Sequence, residues 1–230
     1  MAGSGAAPAG ASIAGDFAYD SPMLKLTLPR GRTLIIGGIA LLALVALAAG
    51  GWYWHTVSQR HAMAAYADAL TRAQPALSGQ ASAEARTAGI RELETVLTQY
   101  PSGPGAAQVA YELGSLRYDA QQYAQARGAW DIAVAQGPPR TLKALSLGGM
   151  AYTWEAERNY PKAVEAFKVA LTGLGPKDFH YEELILGLAR TQELAGQKAE
   201  AIATYRRALG ELAQSRRVDE IKARLAALGA

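Results

Sequence analysis

Three stretches, AAQVAYELGSLRYDAQQYAQARGAWDIAVAQGPP (106–139), ALSLGGMAYTWEAERNYPKAVEAFKVALTGLGP (144–176) and EELILGLARTQELAGQKAEAIATYRRALGEL (182–212), align with one another. Each reads as two helices. The first helix of each carries a small residue at its middle, Gly114, Ala151 or Ala189. The second carries an alanine, a ring four residues later and another alanine three further on: Ala126, Trp130, Ala133; Ala163, Phe167, Ala170; Ala201, Tyr205, Ala208. Offsets of four and seven share one helical face, so each ring is flanked by side chains small enough for a neighbouring helix to approach closely. Helix pairs repeated in register imply a solenoid in which each unit buries its apolar face against the next. The expected fold class is therefore all-α.

The pattern resembles the tetratricopeptide repeat (TPR) family. Tyr123 and Tyr160 lie three residues before the signature alanine, and Pro138 lies twelve after one. A degenerate fourth copy precedes them, with Gly89, Leu93, Val96 and Pro101 at the corresponding positions. Small residues at 89, 126, 163 and 201 then recur at a period three or four residues longer than the family's 34. Gly137-Pro138-Pro139 and Gly173-Leu174-Gly175-Pro176 are helix breakers suited to hold two of the insertions. The resemblance implies a right-handed superhelix. The first helix of the degenerate copy is expected over about Thr56 to Gln74, joined rigidly to what precedes it, with Pro75 to Ser82 as a polar loop. Val218, Ile221, Leu225 and Leu228 form the apolar stripe of a C-terminal capping helix.

Upstream, TLIIGGIALLALVALAAGGWYW (33–54) runs 22 residues without a charge. At about 1.5 Å per residue it spans the ~30 Å hydrocarbon core of a bilayer. Lys25, Arg30 and Arg32 precede it, whereas only Arg60 falls in the first 15 residues after it, which places the N-terminus in the cytoplasm. Trp52, Tyr53 and Trp54 suit the headgroup level. Ala46-Leu47-Ala48 resembles a signal-peptidase site, but the apolar run exceeds a signal core, so the expectation is an uncleaved anchor. Ala46 and Gly50 form a small-xxx-small pair that admits a homo-oligomer. Residues 1 to about 15 are nearly all Ala, Gly, Ser and Pro, a composition that does not support a packed core. The expected organisation is a disordered cytoplasmic tail (1–32), a transmembrane helix (33–54), a membrane-proximal helix and degenerate repeat (55–104), three TPR-like repeats (105–217) and a cap (218–230).

Composition removes several kinds of chemistry. With no cysteine there is no disulfide, thiolate site or cysteine nucleophile, and 23 basic against 20 acidic residues give no phosphate-binding surface, so nucleic acid is not expected. His55, His61 and His180 are the only histidines and none pairs at helical metal-site spacing. No nucleotide-loop or nucleophile-elbow motif occurs. The chain is expected to be no enzyme and to hold no cofactor or metal.

The family's register implies a concave surface lined by first-helix positions Tyr111, Ser115, Tyr118, Tyr152, Glu155, Leu186, Arg190 and Glu193. Aromatic rings with a few charges suit protein recognition. The Lys/Asn clamp with which chaperone-binding members hold a terminal carboxylate is absent at these positions. In architecture the chain looks like the ancillary SecYEG translocon subunits of bacterial inner membranes, which implies one span, a periplasmic repeat domain and assistance to secretion, folding or assembly of envelope proteins. The partners implied are proteins of a membrane or secretory complex, together with the bilayer through 33–54. The alternative is a structural assembly factor or stable subunit of cell-wall, outer-membrane or respiratory machinery.

Overall fold

The computed structural model describes residues 31–230 and divides the chain after Gly51. The basic residues at 25 and 30, and the low-complexity head, lie outside the described residues. Helix α1 covers Gly31–Leu77. Its portion before residue 52 contains an 18-residue window of mean hydropathy 2.5, none of it buried. Leu34, Ile39, Leu42 and Leu47 all stand more than half exposed. A soluble core helix would cover such side chains, because each fully buried Leu or Ile gains about 1.5–3 kcal/mol. This segment is long and apolar enough to cross a membrane.

The unit from Trp52 onward is all-helical among the described residues: the remainder of α1, then α2 (Ala83–Gln99), α3 (Ala106–Asp119), α4 (Tyr123–Ala135), α5 (Arg140–Ala156), α6 (Tyr160–Leu171), α7 (Tyr181–Leu194), α8 (Lys198–Glu211) and α9 (Val218–Ala227). From α2 to α9 each helix packs on its sequence neighbours, and α3 also meets α5. This is the contact pattern of a helical-hairpin solenoid.

The hairpins α3/α4, α5/α6 and α7/α8 turn in the same way. In each, one residue of a three-residue loop is left-handed: Gln121 (φ 60°), Arg158 (φ 58°) and Gly196 (φ 74°). The next residue's N–H reaches back five positions, Gln122 to Arg117, Asn159 to Trp154 and Gln197 to Gln192, each at 2.8 Å. This geometry satisfies carbonyls that the helix end would otherwise orphan.

The signature residues of the second helices are buried throughout. Ala126, Ala133, Ala163, Phe167, Ala201 and Ala208 show no exposure, and Trp130 and Tyr205 no more than 4%. Trp130 lies between two first helices, so close that a Cβ added to Gly114 would come within 2.5 Å of its ring, and one added to Gly149 within 2.7 Å. Its Nε1 donates to the Tyr111 carbonyl at 3.1 Å. Phe167 meets Gly187 of the following repeat in the same manner, at 2.7 Å. A second link joins α4, α5 and α6 at Trp154, whose ring carries Arg127 on one contact at 3.6 Å and Lys162 on another at 4.4 Å.

The degenerate repeat uses the end of α1. Ala62, Tyr66, Ala69, Ala73 and Ala76 are buried with Leu93, Val96 and Leu97 of α2. Gly89 faces Ala76 with no room for a Cβ. The Tyr66 hydroxyl donates to the Tyr100 carbonyl at 2.5 Å. The expected loop from Pro75 starts later than the sequence suggests. Helix α1 continues through Pro75 to Leu77, and the turn falls at residues 78–82, where the Ser82 Oγ caps α2 by accepting from Ala85 N. Proline lacks a donor N–H, but in a last turn the loss of one bond is offset by burying Ala76 against α2. At the other end Ile221 and Leu225 of α9 are buried against Tyr205 and Ala208 of α8, the apolar stripe read from the sequence.

Candidate functional site

The first helices α3, α5 and α7 bring most of the expected concave residues to two adjoining cavities. One, of about 410 Å³, is lined by Tyr111, Ser115, Tyr118 and Asp119 of α3, Trp130 of α4, Leu145, Gly149 and Tyr152 of α5, and His180 and Glu183. The other, of about 530 Å³, is lined by Tyr152, Phe179, His180, Glu182, Glu183, Leu186, Gly187, Arg190 and Arg217. Tyr152, His180 and Glu183 belong to both, so they form the ridge between them.

The rings are held from beneath. Tyr118 packs on Tyr123 and Trp130 at centroid separations of 5.6 and 6.1 Å, and Tyr152 stands edge-on to Phe167 at 5.0 Å. Edge-to-face packing of this kind fixes ring orientation beyond what burial alone achieves. Burial pushes the Tyr152 hydroxyl well above the usual phenol range, with the Glu183 carboxylate adding to the shift. Tyr111 and Tyr118 are raised in the same direction, again chiefly by burial. All three are neutral hydrogen-bonding groups at physiological pH.

Glu155, Glu193 and Arg190 are engaged inside the fold. The Glu155 carboxylate accepts from Arg190 Nε and a terminal guanidinium nitrogen, both at 2.9 Å, and from Thr191 Oγ1 at 2.9 Å, tying α5 to α7. The pairing holds the Arg190 guanidinium above its ordinary value. Glu193 lies 3.7 Å from Arg224 of the cap. Neither carboxylate lines either of these two cavities, and each faces a cation of a neighbouring helix. Arg190 does line the second cavity, with its guanidinium 6.0 Å from the Tyr152 ring centroid. Leu186 lies at the floor, 5% exposed.

Sequence reasoning missed Phe179, His180, Glu183 and Asp119. Phe179 and His180 sit on the connection between α6 and α7, in one of the insertions that lengthen the period. The Asp178 carboxylate folds that connection by accepting from Gly175 N at 2.7 Å and from Arg140 at 3.1 Å. His180 takes a left-handed conformation (φ 73°) immediately before α7. Its ring stacks on Phe179, 5.9 Å between centroids, and its Nδ1 lies 3.1 Å from Glu183. Phe179 remains 66% exposed. The available signal was the run of helix breakers at 173–176, which marks a long loop without showing which way it folds. Among the described residues no group of three or more His, Asp or Glu side chains converges as a metal site.

Comparison with known proteins gives no matching family model, and no curated protein matches. Among solved structures the chain is similar to a TPR repeats protein from Bacteroides fragilis NCTC 9343, at 15% identity and a TM-score of 0.43. The similarity covers 63% of this chain and spans 62% of the length of that one. Among the described residues the fold defines an all-α helical-repeat protein with one apolar N-terminal helix.

Proposed function

We propose that this is a single-pass membrane-anchored scaffold, cytoplasmic at its N-terminus and periplasmic from His55 onward, which binds proteins of a bacterial envelope complex and assists their secretion, folding or assembly. The observation that carries the reading is the pair of aromatic-lined cavities on α3, α5 and α7, together with an apolar segment of α1 of which no part is buried. In this reading the bound segment lies along Tyr111, Ser115, Tyr118, Tyr152, Leu186 and Arg190. Glu155 and Glu193 hold the first helices and the cap in position. Tyrosines fixed by packing provide contact area at little further entropy cost, which is what recognition surfaces exploit.

The test places a photo-crosslinking amino acid at exposed positions, so that folding is not at risk. Phe179, at the cavity rim, should capture protein in intact cells, and Val169, 56% exposed on α6 and lining neither cavity, should not. Equal capture at both sites, or capture from Val169 alone, would sink the assignment of the binding face. Many transient adducts support assistance to immature clients, and one stoichiometric adduct supports a stable subunit.

A further inference from the structure

The cavity between α3 and α5 has an unbalanced charge. Its lining includes two carboxylates, Asp119 and Glu183, and among the described residues no Lys or Arg. His180 is the one basic group there, and its Nδ1 already faces Glu183 at 3.1 Å. Of the two arginines in the adjoining cavity, Arg190 is held by both oxygens of Glu155 and Arg217 by both oxygens of Glu220, so neither turns to neutralise the pair without breaking its contact. Asp119 is the last residue of α3, where the helix dipole disfavours an anion, and among the described residues it makes no ion pair or side-chain hydrogen bond. The same lining includes the half-buried rings of Tyr111, Tyr118 and Tyr152. Ring faces attract cations through their quadrupole, and carboxylates at the rim add direct charge pairing.

We infer that this cavity receives a basic side chain, Arg or Lys, of the protein segment that the groove binds. The inference rests on the groove reading above and names the chemistry of its ligand. Partners would be selected for a cation flanked by apolar residues, and acidic segments would be repelled by Asp119 and Glu183. The volume, about 410 Å³, admits a guanidinium with its aliphatic stem and leaves room for the neighbouring side chain of an extended segment.

The full chain in detergent micelles is titrated against four fluorescent ten-residue peptides of Leu and Ser, identical except for a central Arg, Lys, citrulline or Glu. Citrulline keeps the shape of Arg without its charge. Anisotropy should show the Arg and Lys peptides binding about tenfold tighter than the citrulline peptide, and the Glu peptide weakest. Asp119→Asn combined with Glu183→Gln should abolish the discrimination, so that the variant binds the Arg and citrulline peptides alike. Asp119→Asn alone, at a position with no intramolecular partner to lose, should remove part of the discrimination, which keeps the test decisive if the double variant misfolds. Equal binding of Arg and citrulline peptides would overturn the inference while leaving the groove reading intact. Absence of binding by all four also overturns it, and the groove reading then stands or falls on the crosslinks at Phe179.

Discussion

Gly149→Ala is the substitution on which the packing argument is most exposed. By helix propensity alone it should stabilise, since alanine in a helix interior is favoured over glycine by about 0.8–1 kcal/mol. The structure reverses the sign. The new Cβ would lie 2.7–2.8 Å from three atoms of the Trp130 ring, roughly 0.7 Å short of ordinary contact. The ring has nowhere to retreat, because its other edge lies against Gly114, so close that a Cβ there would come within 2.5 Å, and its Nε1 is fixed to the Tyr111 carbonyl. Overpacking of this kind costs about 1–3 kcal/mol, so after the propensity gain the net loss should reach about 2 kcal/mol. For a domain of this size a loss of about 2 kcal/mol lowers Tm by roughly 4–8 °C. Gly128→Ala is the control: it lies in α4 with nothing within 4 Å of the added Cβ, and should raise stability by about 0.5–1 kcal/mol. Trp130→Phe removes the atoms that clash. In that background Gly149→Ala should become neutral or stabilising, although the Phe variant itself starts lower. Urea melts of the full chain in detergent, followed by far-UV circular dichroism, measure the cycle. If Gly149→Ala stabilises the wild type as much as Gly128→Ala does, the placement of Trp130 between consecutive first helices is wrong.

Gln121→Gly and Arg158→Gly should each stabilise by about 0.5–1 kcal/mol, because a left-handed conformation costs an L-residue more than the added chain entropy of glycine, and both sites are exposed. A loss at either in a denaturant melt would show that its side chain contributes to the turn. Burial raises the Glu112 carboxyl above its ordinary value of 4.5 despite the hydrogen bond from Gln108. A raised folded-state value leaves stability intact below pH 4.5 and removes some as pH rises through the carboxylate range. Glu112→Gln should therefore melt higher than the wild type at pH 7 and alike at pH 4, and the opposite ordering would refute the sign. Because the chain has no cysteine, Ser78→Cys and Ser4→Cys are each the single thiol of their variant. A membrane-impermeant maleimide added to spheroplasts should label the first and spare the second, and the reverse result would make the repeat unit cytoplasmic.

The sequence by itself determined the helical-repeat fold, because Trp130, Phe167 and Tyr205 recur with their flanking alanines at a spacing that only stacked helix pairs explain. It also determined the apolar span, since an 18-residue window of mean hydropathy 2.5 needs no tertiary context to be read. The equivalent turn residues at 121, 158 and 196 escaped notice because Gln and Arg do not signal a left-handed conformation as Gly196 does; the helix-end carbonyls impose it. Tertiary structure alone decided which polar groups serve the surface and which serve the fold. Glu155 and Glu193 occupy equivalent positions of consecutive first helices, but their surroundings differ, so that Glu155 pairs with Arg190 and Glu193 faces Arg224. Phe179 and His180 have no place in the repeat at all. They reach the cavity because Asp178 closes its loop on Gly175 and Arg140, a contact across 38 residues that no local pattern encodes. Periodicity records what every repeat must bury in common, whereas a binding site is built from what individual repeats and loops do not share.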